Sequence, residues 1–285
     1  MARLMAREDC AKAALIEMKD VIISLVTVCL NSEETLERTF QSVLNQSLLP
    51  AEYIVIDGAS TDGTIKIITN YEPIFRAAGV SFLWESEKDK GLYDAMNKGI
   101  EKTNGYIIGI LNSDDYYEKD TVGLIASACR KNPAAEILYG FMRNLDGGVE
   151  VSASRWNYDY MYSRDNKSDI CSGAQHPTCF VKKTVYDEIG KFDLSFRTAA
   201  DFDFLLRAKQ QGKKFHAIDA ILTNFSLGGL SNRISDAELI DQKSRIMFKN
   251  DLIDKTTFDK MKKKLKYTKY KALKAKILDF ILAVR

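Results

Sequence analysis

The chain has 285 residues, 46% apolar and 28% charged, a composition that buries a substantial core and excludes a disordered or fibrous protein. Five cysteines (Cys10, Cys29, Cys129, Cys171, Cys179), odd in number and without a CxxC pair, argue against a disulfide framework and for reduced thiols in a cytosolic compartment. The net charge of +2 conceals an asymmetry: residues 255–285 hold eleven Lys/Arg against Asp259 and Asp279, a net of +9, so the remainder carries 30 basic and 37 acidic residues, a net of −7.

No apolar run reaches the roughly 18 residues of a spanning helix. Arg3, Arg7, Glu8 and Asp9 break up the N-terminus, so residues 1–18 read as an extension rather than a secretory signal. Val21–Val28 is a β-branched run typical of a strand buried on both faces. Asn31 or Ser32 can cap the next helix, whose Leu36, Phe40, Val43 and Leu44 form the stripe of a helix lying on a sheet. Tyr53–Asp57 is a second strand, which Gly58–Gly63 turn into a helix carrying Ile65, Ile68 and Tyr71. Val80–Trp84 is a third strand, Tyr93–Lys102 a short helix and Tyr106–Leu111 a fourth strand. This alternation predicts a doubly wound α/β fold, with helices flanking a mostly parallel central sheet whose ligands bind beyond the carboxyl ends of the strands. Those ends carry Asn31, Asp57, Glu87 with Asp89, and Asp114 with Asp115, an acidic rim that packing alone does not explain.

The second half is less regular. A strand at Ile137–Phe141 and a hairpin turn at Asp146-Gly147 precede a long polar and aromatic loop over 155–175. Phe180-Val181 reads as a strand, Thr184–Ile189 and Ala200–Gln210 as helices, and Phe215–Thr223 as a strand before a basic helical tail.

Leu111-Asn112-Ser113-Asp114-Asp115, after a buried strand, places two adjacent carboxylates where like-charge repulsion and desolvation both penalise them. A hard divalent cation that itself holds a phosphate would neutralise the pair, although capping of the following helix is also open. Gly58-Ala59-Ser60-Thr61-Asp62-Gly63-Thr64 imitates a phosphate loop but lacks its lysine, and Asp57 and Asp62 would repel a phosphate. An acid at that strand end suits accepting a hydrogen bond from a base N–H or a ribose hydroxyl. No GxGxxG follows the first strand, which argues against a dinucleotide fold. Cys171, His176 and Cys179 lack the fourth ligand and the spacing of a zinc site.

Val26-Thr27-Val28-Cys29-Leu30-Asn31, Ser42-Val43-Leu44-Asn45-Gln46 and Ile54 to Thr64 resemble family 2 glycosyltransferases of GT-A fold. The resemblance continues through Glu85 to Gly99 and Leu111 to Asp115, and covers roughly residues 20–225. Within the family it is nearest to enzymes that assemble bacterial exopolysaccharide, capsule or lipopolysaccharide sugars. It implies an N-terminal extension (1–18), a GT-A domain (19–228, with a nucleotide-sugar half at 19–117 and an acceptor half at 118–228) and a basic helical tail (229–285).

The resemblance further implies that Thr27, Asn31 and Asp57 hold the nucleotide base and ribose, and that Asp89 and Gly91 close over them. Asp94 and Asn97 would reach the donor phosphate or sugar, with a plain helix-surface role equally open for Asn97. Asp114 would ligate Mn2+ or Mg2+ bridging the diphosphate, with Asn112 limited to a neutral oxygen or a water-mediated contact. Ser113 joins the donor-binding set, and Asp115 would flank the metal or the donor sugar. His176 matches a histidine near the diphosphate or acceptor and is a second candidate ligand. In Thr198-Ala199-Ala200-Asp201-Phe202-Asp203, alanine occupies a position where many relatives carry glutamate, so the catalytic base falls to Asp201, with Asp203 as runner-up and a helix cap as the plain alternative.

The implied activity is metal-dependent, inverting transfer of a hexosyl or N-acetylhexosaminyl group. It would run from a UDP-sugar to a glycan or lipid-linked acceptor in cell-surface polysaccharide synthesis. Two rivals remain, a sugar-nucleotide-binding scaffold that has lost catalysis and a sugar-phosphate nucleotidyltransferase. The second is disfavoured by the acidic loop after the first strand. Trp156, Tyr158, Tyr160 and Tyr162 could wall the acceptor. The tail places Tyr270, Leu273, Ile277, Phe280, Ile281 and Val284 on one face among lysines, a pattern for an anionic membrane surface, with docking on protein as the alternative. No nucleic-acid recognition module accompanies it. The expected location is cytoplasmic, peripheral at the inner face of the plasma membrane.

Overall fold

Side chains that alternate between two buried faces organise the molecule. The computed structural model describes residues 21–154, 174–229 and 235–265. The extension, Cys10, Cys171, the aromatic residues at 156–162 and the tail face from Tyr270 to Val284 lie outside the described residues. Strands β1 (Ile23–Cys29), β2 (Glu52–Asp57), β3 (Ser81–Ser86) and β4 (Ile107–Asn112) pair in parallel in the order β3-β2-β1-β4. Between them run α1 (Leu36–Leu44), α2 (Thr64–Ala77) and α3 (Leu92–Lys102).

Because successive strand residues point to opposite faces, Leu25, Tyr53, Val55 and Leu111 join one core and Val26, Ile54, Ile56 and Ile110 the other. The first core lies under α1 and α2, where Phe40, Tyr53, Phe75 and Phe82 pack ring to ring with centroids 4.9–6.1 Å apart. The second lies under α3. Helix α3 sits so close to β1 that a Cβ at Gly99 would come within 2.3 Å of Val26 Cγ1.

Beyond β4 the sheet becomes mixed. The chain forms β5 (Tyr116–Tyr117), α4 (Thr121–Lys131), the hairpin β6 (Ile137–Asp146) and β7 (Val149–Ser154), then β8 (Phe180–Lys182), α5 (Lys183–Ile189), α6 (Ala200–Gln210) and β9 (Phe215–Ser226). The full order is β3-β2-β1-β4-β8-β6-β9-β5, with β7 on β6. β5 follows β4 closely in sequence yet pairs antiparallel with β9 at the far end of the path, which curls the sheet back toward its middle. The two-residue β5 is too short to give a sequence pattern, and β9 runs three residues past its expected end to meet it.

Part of the segment expected as a separate tail packs on the domain. α7 (Asp236–Lys249) buries Ile246, its Gln242 bonds both the backbone N–H (3.0 Å) and the hydroxyl (2.7 Å) of Thr198, and Lys249 pairs with Asp193. No helix among the described residues is long and apolar enough to cross a membrane.

Candidate active site

β1 and β4 are neighbours, but the chain runs outward from β1 through β2 and β3 and returns to β4 by α3 on the opposite face, so the carboxyl ends of β1 and β4 form a topological switch point. A cleft of about 470 Å3 opens there, lined by residues that include Asn31, Glu33, Glu34, Asp62, Asp114 and Gly228. Asn31 adopts φ +50°, a left-handed conformation that Asn tolerates better than most residues. Its N–H donates to Ser60 Oγ at 2.7 Å and its Oδ1 accepts from Thr61 N–H at 2.9 Å, which laces the loop after β1 to the loop after β2. Glu33 accepts from Gly63 N–H at 2.6 Å, and Asp62 accepts from Thr64 and Glu33 N–H groups. Both carboxylates thus face the positive end of α2.

Several expected donor-binding residues are engaged internally. Thr27 is fully buried with its hydroxyl 2.7 Å from Tyr53 Oη, so its side chain does not reach the cleft. A residue inside a strand buried on both faces has no route to solvent. Asp57 is also 0% exposed and accepts from Ser60 N–H (2.9 Å), Ser60 Oγ (2.5 Å) and Ser86 Oγ (2.6 Å). Asn97 spends its amide on the backbone of Phe192, donating to the carbonyl at 2.9 Å and accepting from the N–H at 3.0 Å. Gly91 has φ +129°, which only glycine adopts readily, and it starts α3. Asp94 accepts from Lys90 N–H at 2.9 Å. Asp89 pairs with Lys98 at 2.6 Å, yet burial, with the charges of Asp94 and Glu87, holds it above the usual carboxylate range.

The two carboxylates after β4 separate. Asp115 is fully buried and accepts from Ser226 N–H (3.0 Å) and Asn112 Nδ2 (3.2 Å). Burial first, then the charge of Asp114, pushes Asp115 well above the carboxylate range. It ties the end of β4 to the end of β9, and its side chain is engaged internally. Asp114 instead lines the cleft, where the chain at Gly229 comes so near that a Cβ would lie 2.5 Å from Asp114 Oδ2. Asn112 Oδ1 is buried with no hydrogen-bond partner, and Ser113 Oγ contacts Ser32 Oγ at 2.8 Å.

Asp201 sits half-buried in the first turn of α6, its Oδ1 accepting from Tyr93 Oη at 2.8 Å and Phe202 N–H at 2.9 Å. Asp203 is fully buried against Arg207 (2.7 Å) and Lys249 (3.2 Å), so it holds helices together. His176 packs its ring on Phe192 at 5.2 Å. Burial pushes it below its ordinary value and the charge of Asp201 only partly offsets this, so the ring is neutral near pH 7. No group of three or more His, Cys, Asp or Glu side chains among the described residues is placed to hold a metal, so His176 and Asp114 do not belong to one such cluster.

Three residues at the site carried no sequence signal of their own. Arg38 donates to Asp114 O (2.7 Å) and Ser226 Oγ (2.9 Å) and stacks over Tyr116 at 4.7 Å, supporting the Asp114 loop from α1. Gln242 steadies the approach to Asp201 from a helix more than forty residues away. Tyr93 read only as part of a motif, although the structure gives its hydroxyl a partner on α6.

The chain matches the model described as "Glycosyl transferase family 2" over residues 24–190. It belongs to that family. A "PGL/p-HBAD biosynthesis glycosyltransferase" of Mycobacterium bovis is 28% identical over 225 residues, covering 77% of this glycosyltransferase and 82% of the relative. Among solved structures, Staphylococcus aureus TarS 1–349 in complex with UDP-GlcNAc superposes with a TM-score of 0.61 at 18% identity, covering 84% of this chain and 70% of that one. The chain spans 42% of a longer TarS structure. A mannosyltransferase from Pyrobaculum calidifontis in complex with GDP-Man and Mn2+ gives a TM-score of 0.60 at 14% identity, covering 82% and 65%. These likenesses establish the fold as GT-A.

Proposed function

We propose that this glycosyltransferase moves a hexosyl or N-acetylhexosaminyl group, with inversion, from a UDP-sugar to a carbohydrate or lipid-linked acceptor in cell-surface polysaccharide assembly. The observation that carries the reading is Asp201, a carboxylate at a helix start whose two hydrogen bonds among the described residues fall on one oxygen. The acceptor hydroxyl gives its proton to Asp201 and attacks the anomeric carbon. The bond to the diphosphate breaks on the opposite face and its electron pair leaves with UDP. A positioned base of this kind contributes about 10²–10⁴-fold.

The donor set suits a divalent metal held mainly by the diphosphate. Asp114 would provide the one carboxylate ligand, and the unpartnered Asn112 Oδ1 could add a neutral oxygen. Such an ion supplies Lewis-acid neutralisation of the charge building on the leaving group. Asn31 and the laced loops beside it would line the nucleotide. Asp89, Gly91 and Asp94 would close over the ribose and phosphates from the start of α3. The relatives bound to UDP-GlcNAc and to GDP-Man with Mn2+ support the substrate class. The basic C-terminal segment would hold the enzyme at an anionic membrane surface.

A second reading, a sugar-nucleotide-binding protein with weak catalysis, is favoured by Ala200, at a position where the family resemblance implies a glutamate. A panel of UDP- and GDP-sugars assayed for nucleotide release, with and without Mn2+, separates the two. Metal-stimulated turnover of a UDP-sugar that Asp201→Asn abolishes while UDP still binds is expected. Binding without turnover on any donor would leave the second reading standing.

A further inference from the structure

Tyr93 lies two residues past Gly91 in the first turn of α3, only 6% exposed, with its ring 5.3 Å from Phe192. Asn97, one turn further along the same helix, grips the Phe192 backbone from both sides. Helix α3 therefore builds the seat for the tyrosine it carries. The Tyr93 hydroxyl reaches 2.8 Å to Asp201 Oδ1, across 108 residues of sequence. A carboxylate only accepts, so the phenol donates. Burial, followed by the charge of Asp201, keeps Tyr93 protonated well above its ordinary value. Phe202 N–H donates to the same oxygen at 2.9 Å. Neither bond goes to Oδ2, and the neutral His176 also packs against Phe192 on this side.

We propose that Tyr93 is a positioning residue for the transfer: it clamps Asp201 Oδ1, so that Oδ2 is the atom that takes the acceptor proton. The inference rests on Asp201 being the base. In the transfer the acceptor O–H proton passes to Oδ2, the acceptor oxygen bonds to the anomeric carbon, and the carbon–oxygen bond to the diphosphate breaks. The first turn of α3 also carries Asp94, assigned above to the donor, so one helix start aligns donor and base. Reactions of this kind are sensitive to small misplacements of the attacking groups.

Tyr93→Phe keeps the ring and its packing while removing the donated hydrogen bond. Nucleotide release from UDP-GlcNAc and UDP-glucose, with water as acceptor, is compared with wild type and Asp201→Asn. For Tyr93→Phe, kcat is expected to fall about tenfold or more while the donor KM stays within about twofold, because the lost bond aligns the base and not the donor. A wild-type kcat in Tyr93→Phe together with an inactive Asp201→Asn overturns the tyrosine's role alone. An Asp201→Asn variant that turns over normally overturns the base assignment beneath it. A crystal structure of Tyr93→Phe gives a readout independent of turnover. Asp201 is expected to rotate out of its present orientation, and an unmoved carboxylate overturns the clamp.

Discussion

The Asp57→Ala replacement sets two roles for this carboxylate against each other, reading the nucleotide directly or holding together the loops that do. Asp57 accepts from Ser60 N–H, Ser60 Oγ and Ser86 Oγ, with the Cys29 thiol at 3.6 Å. Ser60 Oγ in turn accepts from Asn31 N–H, so the carboxylate is the end of a chain that shapes the cleft wall. Removing it leaves a backbone N–H and two hydroxyls without their acceptor. Ser86 is exposed and can turn to water, so the Ser60 N–H and hydroxyl carry most of the loss. At roughly 1–3 kcal/mol for each of these two groups left unsatisfied, the cost is about 2–6 kcal/mol. That corresponds to a fall in Tm of about 4–24 °C. Asp57→Asn can keep an oxygen on Ser60 N–H and turn its amide toward Ser60 Oγ, for about 1 kcal/mol. Thermal melts give the stability, and calorimetric titration with UDP and GDP gives the binding. The lattice predicts that Asp57→Ala melts lower and loses affinity for both nucleotides together. If it melts within about 1 °C of wild type while its preference between UDP and GDP changes, Asp57 contacts the base and this account is refuted.

Gly99→Ala should destabilise the protein by about 1–3 kcal/mol, because its Cβ would meet Val26 Cγ1 at 2.3 Å in the middle of the sheet. A urea midpoint equal to wild type would contradict the packing. Asp193 is held at about 2: burial alone would raise it, but Lys249 at 2.7 Å and Ser195 N–H at 2.9 Å outweigh that. Its contribution is therefore present above the unfolded value near 3.8 and lost as pH falls toward 2. The stability gap between wild type and Asp193→Asn should be open at pH 7 and close through that acid window, and a gap constant with pH would count against the pairing. Mn2+ should bind weakly to the nucleotide-free protein and tightly with UDP, and Asp114→Ala should remove that coupling. Tight Mn2+ binding without nucleotide, seen by calorimetry, would mean a fuller ligand set than Asp114 offers.

Hydrophobic periodicity made the first half of the fold legible, since Val21–Val28, Tyr53–Asp57 and Tyr106–Leu111 each match a strand to within two residues. Ordered motifs also identified the family and the stretches that form the switch point. Which side chains of those motifs face the cleft was not legible. Thr27 and Asp114 both belong to motifs expected to hold the donor, yet one is sealed against Tyr53 and the other opens to the cleft. Asp114 and Asp115 are adjacent and chemically identical, and only the arrival of Ser226 at the end of β9 makes one a buried tie and the other a cleft residue.

By itself the sequence determined the α/β architecture, the family and the acidic rim, because these follow from local patterns of apolar and charged residues. The tertiary structure alone decided the curl that brings β9 to β5, the docking of α7 on α6 and the hydrogen bond from Tyr93 to Asp201. Each of these joins residues far apart in the chain through a hydrogen bond, an ion pair or a packed ring. Such contacts leave no periodicity in the sequence, because nothing local requires them.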